Sequence, residues 1–89
     1  MSKTRKSIEL FAFEMEVKLR ENDDAKHCWE GTNLLELKDL MMAETEELED
    51  EILLEGSGED IARECADIAN YCMMIADKVK YGTRNRGRE

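Results

Sequence analysis

Two pairs of carboxylates, Glu44-x-x-Glu47 and Glu64-x-x-Asp67, bracket the stretch ETEELEDEILLEGSGEDIARECAD. On an α-helix, residues three apart project from the same side, so each pair presents two oxygen clusters to one point in space. If the two helices that carry them pack together, the pairs meet. Ionised carboxylates held about 4 Å apart repel by roughly 4 kcal/mol per pair at an effective dielectric near 20. Something positive must then sit between them. A hard divalent cation suits an all-oxygen donor set: Mg²⁺ combines one or two carboxylates with waters and a substrate phosphate, and Mn²⁺ is its ready substitute.

The helices that would position these groups are legible from apolar spacing. At roughly 100° per residue, Leu37, Leu40, Met41, Leu48 and Ile52 form one stripe; Glu44 falls in its middle, with Glu51 inside and Glu47 at its margin. Glu46 points the other way, toward solvent. A carboxylate inside an apolar stripe is costly unless it is paired or bound to metal. On the following helix Ile61, Cys65, Ile68, Cys72, Ile75 and Val79 read as the core stripe, with Glu64, Asp67, Tyr71, Met74 and Lys78 as a second, partly polar strip beside it.

The capping signature Asn33-Leu-Leu-Glu36 opens the first of these helices, which is expected to continue to about Glu55. Gly56-Ser57-Gly58 then forces a turn, and Glu59 and Asp60 suit the positive end of the next helix. So short a connection implies antiparallel neighbours, with Glu47 and Glu64 at comparable heights. This last helix is expected to end near Lys80, with Gly82 as its stop. An earlier helix is expected from about Ile8 to Glu21, with Ser7 as N-cap. Its apolar residues fall on two sides: Ile8, Phe11, Ala12, Met15 and Leu19 on one, Leu10, Phe13 and Val17 on the other. A helix with two apolar faces wants two partners, and in so short a chain the second is most simply another subunit. Residues Asn22 to Thr32 break the pattern and form a connection holding the single His27 and the single Trp29. Trp29 could stack on a nucleobase or plug the core; His27 with Cys28 lacks the further ligands a zinc site needs.

Proline is absent, and no strand-like alternation is present. The fold class expected is therefore all-α: an antiparallel bundle of about three helices per chain, completed by oligomerisation to a homodimer or homotetramer. The 89 residues make one domain, with residues 81–89 as a loose basic tail. A chain of this length buries a limited core, which is a further reason to expect association. The net charge of −9 and pI near 4.6 argue against nucleic acid or an anionic membrane as partner. No apolar run approaches the length of a membrane span, and MSKTRKSIEL lacks the hydrophobic segment of a signal peptide. Cys28, Cys65 and Cys72 are odd in number and have no C-x-x-C spacing; with Cys65 and Cys72 on an apolar face, they read as reduced thiols, and the expected location is cytoplasmic.

Taken together, Glu44-Thr-Glu-Glu47, the spacer from Leu48 to Arg63, and Glu64-Cys-Ala-Asp67 resemble the motif of the MazG-like, all-α nucleoside triphosphate pyrophosphohydrolases. The likeness runs from the helix around Phe11 through the Trp29 loop to EDIARECADIANYCMMIAD. It implies Mg²⁺-dependent hydrolysis of a (deoxy)nucleoside triphosphate to the monophosphate and pyrophosphate. Glu44, Glu47, Glu64 and Asp67 would hold the metal, and Glu47 would be the general base toward water. Trp29, Asn70 and Lys78 are candidates for contacting substrate, although Asn70 points away from the Glu64 side. The segment DIANYCMMIAD is most similar to small phage and bacterial members that act on deoxypurine triphosphates.

Three other classes fit the sequence less well. An acidic helical interaction or assembly module, with its glutamates merely solvated, is compatible with composition and is the alternative, and the place of Glu44 in its stripe counts against it. A Ca²⁺ regulator would need a D-x-D-x-D-G loop. A di-iron bundle would need Glu-x-x-His pairs, and the sole histidine lies in the connection.

Overall fold

The computed structural model describes residues 3–23 and 31–82. Three α-helices account for most of them: α1 (Lys6–Asp23), α2 (Leu34–Leu53) and α3 (Gly58–Asp77), with a π-helical turn from Lys78 to Gly82. Among the described residues there is no strand. The expectations about His27, Cys28, Trp29 and most of the basic tail fall outside the described residues.

Local chemistry explains where the helices begin and end. At the start of α2 the Asn33 side chain accepts from the Glu36 amide at 2.8 Å, and Glu36 accepts from the Asn33 amide at 3.2 Å, the reciprocal pair expected from the sequence. Ser57 caps α3 by accepting from the Asp60 amide at 3.0 Å. The start of α1 differs from expectation. The Arg5 carbonyl accepts from the amides of Ile8 and Glu9, both at 3.0 Å, so Ser7 lies inside the helix and is not its cap. The helix also runs on to Asp23, past the expected break at Asn22.

The turn between α2 and α3 is closed by backbone bonds from the Glu55 amide to the Ile52 carbonyl (3.2 Å) and from the Gly56 amide to the Glu51 carbonyl (2.7 Å). The residue that takes the left-handed conformation is Glu55, at φ 57°, and not a glycine. Gly56 serves a different need: a Cβ there would stand 3.3 Å from the Glu51 carbonyl oxygen and collide with the Glu51 side chain.

Helix α3 is the centre of the fold, packing against both α2 and α1. Its contacts with α1 run Met15 to Asn70, Lys18 to Asp67 and Glu21 to Arg63. The numbers rise along one helix as they fall along the other, so α1 is antiparallel to α3. Because α2 is antiparallel to α3 as well, α1 and α2 point the same way.

Being covered on two sides shifts the buried row of α3. The buried residues are Ala66, Asn70 and Met74. Of the expected stripe, Ile61, Cys65, Ile68 and Ile75 are half-buried, whereas Cys72 and Val79 are exposed. A stripe drawn for one neighbour finds the side facing that neighbour; with two neighbours, the residue between them is buried most, and small Ala66 lets both backbones approach. On α2 the row facing α3 is Leu37, Met41, Glu44, Leu48 and Glu51, while Leu40 and Ile52, expected in the stripe, are exposed. Successive steps of four and three place this row along one seam. On α1, Phe11, Met15 and Leu19 are half-buried as expected, but Ile8 and Ala12 at its open end are exposed. Of its other apolar side, Val17 is half-buried and Leu10 and Phe13 are exposed.

Candidate metal centre

Because α2 and α3 are antiparallel and joined by a tight turn, Glu44 and Glu47 come level with Glu64. One carboxylate oxygen from each of these three residues lies within 4.8 Å of the others. Glu44 and Glu64 are half-buried and Glu47 is exposed at the open edge. One oxygen of Glu44 and one of Glu64 are buried without a hydrogen-bond partner. Orphaned buried carboxylate oxygens are unfavourable unless a cation or a proton compensates them.

The electrostatics record the same crowding. Burial, helped by the hydrogen bond that a protonated Glu44 can donate to Glu64 and by the charges of Asp67, Glu47 and Glu64, pushes the Glu44 carboxyl up from 4.5 to about 7. Burial together with the charges of Glu44 and Asp67 raises the Tyr71 phenol. Tyr71 lay on the polar strip read from the sequence, yet spacing gave it no role.

The fourth carboxylate is held differently. Asp67 receives the Lys18 ammonium at 3.5 Å, and Lys18 also reaches Glu21 at 3.4 Å. Arg63 in turn grips Glu21 with two hydrogen bonds of 3.0 and 3.2 Å, which hold the Glu21 carboxyl below its usual range. Lys18 was missed by sequence reasoning because it sits on another helix; the only available signal was a lysine among the half-apolar positions of α1.

Of the substrate-contact candidates, Asn70 is 4% exposed and its side-chain amide donates to the Met15 carbonyl at 3.1 Å. It ties α1 to α3 and, as its position on the helix indicated, is not turned toward Glu64. Lys78 is half-buried at the start of the π-helical turn. Cys65 is half-buried and Cys72 exposed, so the expectation of two buried thiols holds only in part; the Cys72 thiol lies 3.4 Å from the Met41 sulfur.

The donor set fits a hard divalent ion. All three groups offer oxygen, the donor atom that a hard cation such as Mg²⁺ prefers. Glu44, Glu47 and Glu64 are the residues that could hold it, with Asp67 one helical turn beyond Glu64.

Comparison of the chain with models of known protein families, with curated proteins and with solved structures finds no match in any of the three. Among the described residues, no helix is long and apolar enough to cross a membrane.

Proposed function

We propose that this protein is a Mg²⁺-dependent nucleoside triphosphate pyrophosphohydrolase of the MazG-like kind, converting a (d)NTP and water to the (d)NMP and pyrophosphate. The observation that carries this reading is the convergence of Glu44, Glu47 and Glu64 within 4.8 Å, with buried and unpartnered oxygens on Glu44 and Glu64. A bound divalent ion supplies charge neutralisation for these groups and for the phosphates of a substrate. Glu44 and Glu64 fix the site from two helices whose caps and turn set their relative height. Glu47, the exposed member, is placed where solvent reaches it and serves as general base. It takes a proton from water as the water oxygen bonds to phosphorus at the α–β linkage, and the bridging oxygen departs with pyrophosphate. The likeness of DIANYCMMIAD to members acting on deoxypurine triphosphates favours that substrate class.

The same reading includes assembly to a homodimer or homotetramer. The core of a single chain is small: Leu37, Ala66 and Met74 are its buried apolar residues among those described. Leu10 (58% exposed) and Phe13 (67%) line an open groove on α1 together with Phe11, and Leu53 and Leu54 are uncovered at the end of α2. Covering them would add the buried apolar surface that a short chain lacks. Sedimentation at micromolar concentration should show a dimer or tetramer, and a monomer alone would remove this part of the proposal.

Incubation with Mg²⁺ and a panel of ribo- and deoxyribonucleoside triphosphates tests the activity. Release of pyrophosphate, and not orthophosphate, is the expected result. Failure to release it from every substrate in the panel would favour a non-catalytic acidic helical interaction module.

A further inference from the structure

Charge is unevenly distributed along the chain. Lys3, Arg5 and Lys6 open it with no acid among them, whereas residues 46–60 hold eight carboxylates and no base. The fold sets these two groups at opposite ends. Because α1 is antiparallel to α3, its start lies level with the end of α3, where Lys80 adds another exposed base. The α2–α3 turn is a whole α3 length away, roughly 30 Å for its 20 residues. That exceeds the ~8 Å over which charges act through physiological salt, so the two ends cannot neutralise one another within one chain. Each end also carries uncovered apolar side chains. Lys6, Leu10 and Phe13 share one side of α1, where Leu10 and Phe13 are 58% and 67% exposed; at the acidic end Leu53 and Leu54 are 70% and 80% exposed.

We propose that a second copy of the chain covers these side chains in an antiparallel two-fold pairing, with the side of α1 that carries Leu10 and Phe13 in each protomer set against the end of α2 that carries Leu53 and Leu54 in the other. This direction brings Arg5 and Lys6 of one copy to Glu55 and Glu59 of the partner subunit, and the two-fold repeats the contact. A parallel pairing would instead set the eight carboxylates of residues 46–60 against the same eight of the other copy. Pairing end to end would use each surface once and leave a growing filament, whereas the two-fold uses both and closes. The proposal rests on the oligomeric reading above and gives it a surface, a direction and a dimeric unit.

Sedimentation equilibrium of the full chain tests this, with circular dichroism to confirm that each variant is helical. Wild type should be a dimer at micromolar concentration. R5E/K6E and E55K/E59K should each weaken the dimer by about tenfold or more. The second pair of changes takes the net charge from −9 to −5, two units per residue, so weakening there cannot come from overall repulsion. An equimolar mixture of the two variants, and a single chain carrying all four changes, should return to within about threefold of wild type, because each again sets base against acid. A dimer indifferent to both pairs of changes, folded variants that do not restore it when mixed, or wild-type assemblies larger than a dimer would each overturn the antiparallel pairing while leaving self-association standing. Wild type that stays monomeric would instead remove the oligomeric reading itself, and this pairing with it.

Discussion

Replacing Glu44 by Gln should make the metal-free protein more stable at neutral and alkaline pH, and the size of the gain follows from the position of the carboxyl. Its pKa rises from 4.5 to about 7 in the folded protein, chiefly through burial and then through its acidic neighbours. A group whose folded pKa lies above its unfolded value contributes stability that is fully present below the unfolded value and is lost as pH rises through the folded one. Stability of the wild type should therefore fall between pH 4.5 and about 7 and level off above that range. At 1.36 kcal/mol per pKa unit the loss is at most about 3 kcal/mol. Glu44 keeps some contact with solvent, and screening reduces the figure to about 1–2 kcal/mol. Gln cannot ionise, and its amide can still donate toward Glu64, as the protonated acid does. In EDTA at pH 8, E44Q should unfold about 4–16 °C above wild type, given roughly 4–8 °C per kcal/mol for a domain of this size. The two proteins should converge near pH 4.5. Saturating Mg²⁺ should reverse the order, since an ion at one hundred times its Kd adds about 2.7 kcal/mol to the form that binds it. Thermal unfolding across this pH range, with EDTA and then with Mg²⁺, is the assay. If E44Q follows the wild-type curve at every pH, or is the less stable of the two at pH 8 in EDTA, then Glu44 is not crowded in the way described.

Two further outcomes follow from the packing. Glu55 occupies the left-handed position that closes α2, so E55G should stabilise the fold by about 0.5–1 kcal/mol in urea denaturation, the relief of backbone strain exceeding the entropy that glycine adds to the unfolded chain; a destabilised E55G would show that the side chain is needed there. Asn70 bonds the α1 backbone at Met15, so N70A should lower stability by about 1 kcal/mol and speed hydrogen exchange in α1 more than in α2, and uniform exchange would refute a docking role.

The sequence by itself determined the three helices, the capping box at Asn33, the turn at Gly56-Ser57-Gly58 and the antiparallel meeting of Glu44 and Glu47 with Glu64. Each depends on chemistry within one or two turns, or on a connection too short to permit another arrangement. The embedding of Glu44 in its stripe was legible for the same reason. Only the tertiary structure decided how α1 sits. Its direction parallel to α2, the burial of Ala66, Asn70 and Met74 in place of the row through Cys72 and Val79, and the arrival of Lys18 at Asp67 all depend on which face of α3 a third helix covers. Helical periodicity shows that a face is apolar without naming its neighbour, so a charge delivered across that contact leaves no trace in local spacing.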